Sequence, residues 1–352
     1  MSNRFISDLE YQRRLGPLVF DEIHKVITDS GYREAFKNFS ALHTVKAVVF
    51  GLTGSLPPAL YPVLCEFTAM TWKILRTSSV RKELKYQVVS VTEKDMNSSI
   101  LAHLQKSVTS YSTEDRGIVF CRSKSQVDSL AALFNVEPYY AVHEDEEGLR
   151  KNQETKDRWL SGETKVMVST SILGCGMDYA HIRDVVHRDP SFTMMDQYQE
   201  DSRGGRDGLE SRATTFIVQG KKYRVPDSPY NLGTQLLYDS LNDIHQCQRI
   251  APTQYLDGKA RQCVTIPGAV FCDYCENCVA SSLPEFPPPV QQPSSISSFP
   301  PPRRTPDLFD RSPRVDLRNL LWSNSKKTHS LDFTSSGSSK KMKLTHTTTP
   351  HM

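Results

Sequence analysis

Short apolar runs alternate with longer amphipathic segments from residue 15 to about residue 220. The runs are typical of strands buried on both faces, and the segments between them have apolar residues three or four positions apart, as in helices that pack on a sheet. In residues 126–134, for example, Val127, Leu130 and Phe134 fall on one helical face. This alternation predicts an α/β fold with parallel sheets. The predicted strands are residues 18–20, 45–50, 88–91, 117–121, 165–169, 184–187 and 213–218.

Two lobes, a helical segment and a polar tail fit this pattern. We place the division between the lobes near residues 71–85, which gives a first lobe at 1–77 and a second at 78–222. Residues 223–280 have a helical stripe formed by Leu236, Leu237, Leu241 and Ile244, followed by most of the cysteines. Residues 281–352 contain eleven of the 21 prolines, so we expect no packed core there and predict a disordered tail.

The net charge of +3 is unevenly distributed. Residues 281–352 hold ten Lys or Arg against five Asp or Glu, whereas residues 1–280 hold 33 against 35. The predicted folded part is therefore not uniformly basic, and any contact with nucleic acid must use local patches. No apolar run approaches the roughly 18 residues that cross a bilayer, and the first ten residues lack a signal-peptide pattern, so we expect a soluble intracellular protein.

Two adjacent carboxylates, Asp21 and Glu22, follow the first predicted strand, and His24 comes two residues later. The carboxyl end of a parallel strand is where open α/β sheets bind their ligands. An acidic pair after an apolar run is also common at a solvated strand end. The residues downstream decide between these two interpretations.

Turns rich in glycine and hydroxyl groups follow two other predicted strands. Residues 51–58 form either a coupling turn, whose hydroxyls bond to the neighbouring carboxylates, or a plain tight turn. Residues 170–178 combine serine and threonine with glycines that permit close approach to phosphates, and Asp178 could accept a hydrogen bond from a ribose hydroxyl. The first turn contains Thr53, Gly54 and Ser55, and the second contains Thr170, Ser171, Gly176 and Asp178.

Arg203 and Arg206 lie three residues apart in the glycine-rich stretch 197–208. Near a helix they would share one face, and a planar guanidinium can neutralise the charge on a phosphoryl group as it is transferred. Solvated surface arginines are more common than catalytic ones, but the glycine-rich surroundings favour a functional role.

The ordered series of motifs resembles the motor core of superfamily two helicases, and its details resemble the RecQ family of DNA helicases. The resemblance covers residues 12–280 and implies parts of two RecA-like lobes with parallel sheets, followed by a helical zinc-binding subdomain. Ser202 stands where the family usually has glycine and Gly204 where it has alanine, with both arginines still in register. The matching stretches are residues 21–24 for the DExH box, 52–55 for motif III, 118–121 for motif IV, 170–178 for motif V and 199–208 for motif VI.

The resemblance implies an ATP-dependent 3′–5′ DNA helicase that uses ATP, Mg²⁺ and Zn²⁺. Asp21 would hold Mg²⁺ through water, Glu22 would orient or deprotonate the attacking water, and His24 would couple the nucleotide site to DNA. Arg206 would be the arginine finger, and Arg203 would help to bind phosphate. The other implied sites are Gln199, Gly176 and Asp178 for the nucleotide, Thr53, Gly54 and Ser55 for coupling, and Thr170, Ser171, Tyr32, Arg33 and Phe36 for single-stranded or junction DNA, the last three without the family's usual tryptophan.

Five of the eight cysteines lie between positions 247 and 278, which in a reducing compartment favours metal over disulfides. A turn can fold Cys272, Cys275 and Cys278 round a tetrahedral ion. The fourth ligand is either Cys247 or Cys263, and its helical context favours Cys247. RecQ proteins carry a zinc-binding subdomain after motif VI, which agrees with this cluster; free cysteines without metal are the alternative.

No stretch of the sequence reads G-x-x-x-x-G-K-[ST]. This loop positions the β- and γ-phosphates and Mg²⁺, so we expect an incomplete chain that hydrolyses ATP poorly or not at all. A non-catalytic remnant that binds nucleic acid or a protein partner is the second hypothesis, and a plain zinc-binding protein would leave the helicase motifs unexplained. A basic cluster at residues 340–343 is a candidate nuclear-import signal, which would fit work on DNA repair or recombination in the nucleus, and the tail could bind protein partners.

Overall fold

The structure is a computed structural model that describes residues 16–29, 39, 47–142, 145–171, 177–225, 230, 232–243 and 245–280. The strands in this part of the chain are β1 (Leu18–Phe20), β2 (Val49–Gly51), β3 (Leu84–Val91), β4 (Arg116–Cys121), β5 (Val166–Ser169), β6 (Ile182–Arg188) and β7 (Ser211–Val218). The helices are α1 (Lys25–Thr28), α2 (Tyr61–Thr68), α3 (Met96–Val108), α4 (Lys124–Phe134), α5 (Glu146–Ser161), α6 (Met194–Asp201), α7 (Thr234–Asn242), α8 (Ile250–Asp257) and α9 (Asp273–Ala280).

The strands form two sheets, and every pairing in them is parallel. One sheet pairs β1 with β2, and the other has the order β3-β7-β6-β4-β5. The predicted α/β fold with parallel sheets is therefore confirmed. The prediction started β3 too late, because this edge strand pairs only with β7 and carries the half-exposed polar residues Lys85 and Gln87. Such a strand does not appear as an apolar run.

The core of the larger sheet lies on both of its faces. All residues of β4 and β5 are buried, and alternate residues of β4 point to opposite faces. Val119 packs with α3 and α4, whereas Ile118 and Phe120 pack with Trp159 of α5. The Trp159 indole also donates a hydrogen bond to the Gly117 carbonyl over 3.1 Å. Helices thus cover both faces, as parallel crossovers require.

A third apolar cluster joins the β1–β2 segment to α6, which precedes the last strand of the larger sheet, and to α7 and α8, which follow it. Ile23 and Leu64 are buried in it together with Met195 of α6 and Leu237 of α7. The predicted stripe in residues 236–244 is thus a packed helix up to Asn242, although Ile244 lies outside the described residues. This shared cluster brings the end of β1 beside α6.

Several predictions fall outside the part of the chain that the structure describes. These are the disordered tail at 281–352, the DNA-binding residues Tyr32, Arg33 and Phe36, and the glycine Gly176. Among the described helices, none is both long and apolar enough to cross a membrane. The boundaries of the predicted lobes remain a prediction.

Candidate functional site

The two acidic residues lie in the turn that ends β1. Backbone hydrogen bonds on both sides attach this turn to the β2 turn, since Leu52 N donates to the Phe20 carbonyl over 2.8 Å and Ile23 N to the Leu52 carbonyl over 3.0 Å. Asp21 is exposed, and its Oδ1 accepts a 2.9 Å hydrogen bond from Glu22 N. Glu22 has a φ of 51°, a left-handed conformation that a residue with a side chain rarely adopts.

His24 joins three of the predicted motifs. It is buried, and its Nδ1 lies 2.8 Å from Thr53 Oγ1 and 3.1 Å from Glu22 Oε2. Gln199 reaches these residues from α6. Its amide Nε2 lies 3.2 Å from His24 Nε2 and donates a 2.9 Å hydrogen bond to Ser55 Oγ. The structure therefore brings Glu22, the motif III hydroxyls and the first residue of motif VI into one polar network, with Gly54 exposed between the two hydroxyl residues.

Positive charge surrounds the Glu22 carboxylate. The neighbouring His24 ring, whose Nδ1 lies 3.1 Å from Glu22 Oε2, is the main cause that lowers the pKa of Glu22 below its usual value, against the opposing effect of partial burial. The charges of His24, Lys25 and Arg203 lower the pKa further. Glu22 is therefore an ionised acceptor at neutral pH, which is the state required of a residue that orients water.

The two arginines of motif VI have different surroundings. Arg203 is buried, and its Nη1 donates a 3.0 Å hydrogen bond to the Met177 carbonyl. Arg206 is about one-third exposed and pairs with Asp178, whose side chain is 86% exposed. Asp178, predicted to accept from a ribose hydroxyl, here accepts from Arg206. An exposed ion pair of this kind contributes little stability, so a phosphate group can replace the carboxylate.

The carboxyl ends of β6, β4 and β5 form a neighbouring row on the larger sheet. Thr170, directly after β5, is half-buried with its N–H bonded to the Tyr139 carbonyl, and Ser171 is exposed. The Arg122 guanidinium follows β4 and lies 4.2 Å from the ring centre of Phe192, which is 45% exposed. No local sequence pattern identifies this cation and ring, because they come from loops 70 positions apart.

A second cation lies on the same edge. Lys124 is the first residue of α4, and its Nζ lies 4.9 Å from the ring centre of Tyr140. In the described ranges, neither Arg122 nor Lys124 forms an ion pair with a carboxylate, whereas Arg183, Arg188 and Arg212 all do. Cations without a carboxylate partner, beside the exposed ring of Phe192 and the partly buried ring of Tyr140, suit a surface that binds single-stranded nucleic acid.

Four buried thiols meet where α8 and α9 pack against β3. The sulfur atoms of Cys247, Cys263, Cys272 and Cys275 all lie within 4.8 Å of one another. The Cys247–Cys263 and Cys247–Cys272 sulfurs are 3.5 and 3.8 Å apart. Tetrahedral Zn²⁺ with bonds of about 2.3 Å would separate its sulfurs by roughly 3.8 Å, so this donor set fits zinc.

Cys278 is not part of this group, contrary to the prediction. Cys275 and Cys278 both lie in α9, so their side chains are one helical turn apart, and Cys278 is only partly buried. The position goes instead to Cys263, in a 3₁₀ turn at Cys263–Thr265. Its N–H donates to Cys247 Sγ, and its own sulfur accepts from Cys272 N, both over 3.3 Å. Cys247 and Cys263 are thus both in the group rather than alternatives.

A buried ionic cluster joins the end of α6 to β6. His187 Nε2 lies 2.8 Å from Asp201 Oδ1, and its Nδ1 lies 3.4 Å from Glu200 Oε2. Burial alone would lower the pKa of His187, but the hydrogen bonds to Asp201 and Glu200 raise it to about 9. Burial raises the pKa of Asp201 as well. The charged imidazolium partly neutralises the two acids that α6 carries into the core.

Comparisons with known proteins agree with these motifs. Residues 98–208 match the model described as Helicase conserved C-terminal domain. ATP-dependent DNA helicase Q-like 2 of Arabidopsis thaliana is 28% identical over 297 residues, which are 80% of this chain and 40% of the plant protein. ATP-dependent DNA helicase RecQ of Bacillus subtilis (strain 168) is 30% identical over 214 residues, 57% of this chain and 34% of the relative. The resemblance to RecQ-family helicases is confirmed.

The chain spans less than half the length of the curated relatives that it matches. ATP-dependent DNA helicase Q5 of Mus musculus, for example, is 25% identical over 309 residues that are 77% of this chain but 30% of the mouse protein. Among solved structures, the DEAD-box helicase Mss116 bound to ssRNA and UDP-BeF has a TM-score of 0.49 and 14% identity, covering 67% of this chain and 57% of that one.

The cysteine geometry predicts opposite effects on zinc binding for two single substitutions. We expect the purified chain to hold about one Zn²⁺, which Cys263→Ser loses because serine removes one of four thiolate ligands. Cys278→Ser is the matched control and should keep the metal, because Cys278 lies outside the group of four. Metal analysis and thermal unfolding with and without chelator measure both effects. Retention of zinc by Cys263→Ser together with its loss in Cys278→Ser would contradict this ligand set.

The buried histidine gives a pH dependence with a defined sign. Because the folded pKa of His187 is raised to about 9, above an unfolded value of about 6.5, its contribution to stability is complete below pH 6.5 and is lost as the pH rises to 9. The free energy of unfolding should fall by roughly 3 kcal/mol at most across this window. Urea unfolding at several pH values measures it. His187→Gln should abolish the decrease, and the exposed His245→Gln should leave it unchanged; an equal slope in all three proteins would refute this assignment.

Proposed function

We propose that this chain is the motor portion of an ATP-dependent 3′–5′ DNA helicase of RecQ type. The observation that carries the proposal is the Gln199 side chain, which contacts both His24 and Ser55. Gln199 is the first residue of motif VI and lies in α6, which packs with the larger sheet. Its two partners lie in the turns that follow β1 and β2. A change at either strand end therefore alters a hydrogen bond to the helix that leads to Arg203 and Arg206, as coupling between hydrolysis and movement requires.

In this proposal, each acidic or basic group acts on a different part of the nucleotide. Exposed Asp21 would hold Mg²⁺, and ionised Glu22 would accept a proton from, or orient, the attacking water. Arg206 is the better candidate for the arginine finger, because its present partner Asp178 is exposed and exchangeable. Arg203 is buried and contributes its positive charge to the surroundings of Glu22.

The carboxyl edge of the larger sheet is the proposed surface for single-stranded DNA. Adjacent strands are about 4.8 Å apart, so the loops after β6, β4 and β5 span roughly 10 Å, the length of a few nucleotides of backbone. Arg122 and Lys124 would neutralise phosphates, Phe192 offers an exposed ring for stacking, and Thr170 can donate its hydroxyl. The nucleus is the compartment that we propose for this activity.

The phosphate loop is the component that this sequence does not contain. No stretch reads G-x-x-x-x-G-K-[ST]. The part of each relative that this chain matches is less than half of that relative's length. We therefore propose that the helicase reaction needs residues beyond those of this sequence. The same observation favours one alternative, a protein that binds nucleic acid without turnover. A transcript with this loop in frame upstream of Asp21 would support the first function, and a transcript without it would support the second.

Hydrolysis and its direction test the helicase proposal. In the protein that includes the phosphate loop, we expect ATP turnover stimulated by single-stranded DNA and unwinding of duplexes with a 3′ tail but not a 5′ tail. Glu22→Gln and Arg206→Ala should each lower turnover at least about a hundredfold with nucleotide affinity nearly unchanged, because both groups act on the reacting phosphate. Arg150→Ala on α5 is the surface control. Turnover that survives Glu22→Gln would exclude the proposed role of Glu22.

The salt dependence of DNA binding tests the proposed edge. Arg122→Ala with Lys124→Ala should weaken binding of labelled single-stranded DNA, because two phosphates lose their cations. The slope of log affinity against log salt should become shallower by about 1.4. The matched control replaces Arg150 and Lys151, two cations on α5 that are paired with Glu154 and Glu147. Equal slopes for the two double variants would rule out this edge as the binding surface.

A further inference from the structure

A fully buried arginine connects the cysteine group to the start of β3. Arg249 lies two residues after Cys247, at the start of α8, and its guanidinium stacks 5.1 Å from the ring centre of Tyr86. Five hydrogen bonds hold this guanidinium in place. They run from Nε to Cys263 Sγ at 3.3 Å, from Nη1 to the Arg81 carbonyl at 2.6 Å, and from Nη2 to the carbonyls of Leu84 at 2.5 Å, Val270 at 3.0 Å and Lys82 at 3.3 Å.

The thiols are the source of negative charge for this cation. A buried guanidinium is stable only where its charge is balanced. Within the described residues, Arg249 forms no ion pair with a carboxylate, and the Cys263 sulfur is its acidic neighbour. Four thiolates around one divalent ion carry a net charge of −2, whereas four protonated thiols carry none. The charge that retains Arg249 therefore depends on the metal-loaded state.

Arg81 continues the connection to motif VI. Arg249 donates a hydrogen bond to the Arg81 carbonyl. The Arg81 guanidinium in turn donates from Nη1 to the Ser202 carbonyl and from Nη2 to the Gly204 carbonyl, both over 2.8 Å. Ser202 is the C-terminal cap of α6, so its carbonyl has no partner in the helix. We call residues 202–206, which contain both motif VI arginines, the arginine turn.

The arginine turn packs on the start of β3, which Arg249 holds, and on the start of β7. A Cβ atom on Gly204 would lie 2.4 Å from Ser211 Oγ and 3.2 Å from Leu84 Cδ2. Leu84 and Ser211 are partners in the β3–β7 register. A shift of the β3 entry would therefore move the surface against which the arginine turn rests, because close-packed groups cannot absorb such a shift.

We infer that Arg249 and Arg81 are positioning residues through which the metal-loaded cysteine group fixes the arginine turn. The catalytic importance of that turn rests on the proposed function, but its rigidity does not. Coupling between the metal and the arginine turn is tested by varying the metal and Arg81 together.

Hydrogen exchange of the full chain, followed by mass spectrometry, provides this measurement. In the wild type, removal of zinc by chelator should speed exchange at the amides of Gly204 and Gly205 by about tenfold or more, because the charged hydrogen bonds that hold the turn are lost. In Arg81→Met these amides should already exchange fast with zinc bound, and chelator should add little. Zinc content should remain about one per chain in this variant.

The chain offers a close control for Arg81. Arg76 also donates two guanidinium hydrogen bonds to backbone carbonyls, those of Leu256 and Leu56, both over 2.9 Å. Arg76→Met should therefore respond to chelator as the wild type does. If chelator speeds exchange near Cys263 and Cys272 but leaves Gly204 and Gly205 unchanged in the wild type, the inference is wrong. The same holds if Arg81→Met and Arg76→Met behave alike. Because exchange needs no ATP turnover, either outcome is independent of the proposed function.

Discussion

Parallel pairing is the constraint on which the other features of this molecule depend. Because all five strands of the larger sheet run in one direction, their carboxyl ends share one edge and their amino ends share the other. The unpaired cations and the exposed Phe192 lie at the carboxyl edge, whereas the arginine turn and the cysteine group lie at the amino ends of β3 and β7. In the described part of the chain, α6 runs from one edge to the arginine turn and also contacts His24. Its eight residues span about 12 Å, so a rigid element joins the two edges.

The degree of burial separates the arginines into two roles. Arg249 and Arg203 are buried and bond to carbonyl groups or sulfur, so a movement of either would leave a charge without compensation. Arg206 and Arg122 are at least partly exposed and can exchange their present contacts for phosphate at little cost. The same reasoning explains why α6 can bury Glu200 and Asp201, since the charged His187 lies between them.

The sequence predicted the parallel strands and the order of the motifs well, because both follow from local patterns. β1, β4 and β5 are apolar runs flanked by turns, and their boundaries differ by at most one residue from the prediction. The zinc ligands were predicted less well. The spacing Cys-x-x-Cys occurs twice, and only the start of α9 at Asp273 shows which pair can converge with Cys247. Contacts such as Arg249 with Arg81 join positions 168 apart and leave no periodic signal.

The conformation of Glu22 connects local strain to the interface with motif VI. A left-handed φ on a residue with a side chain costs on the order of 1 to 3 kcal/mol and persists only where surrounding contacts require it. Here the His24 ring contacts the Glu22 carboxylate, and Gln199 contacts the opposite nitrogen of that ring. The position of the acid thus depends on a residue of the other sheet's helix. Withdrawal of α6 would remove one side of the histidine's support, so the geometry of Glu22 and the docking of motif VI stabilise each other.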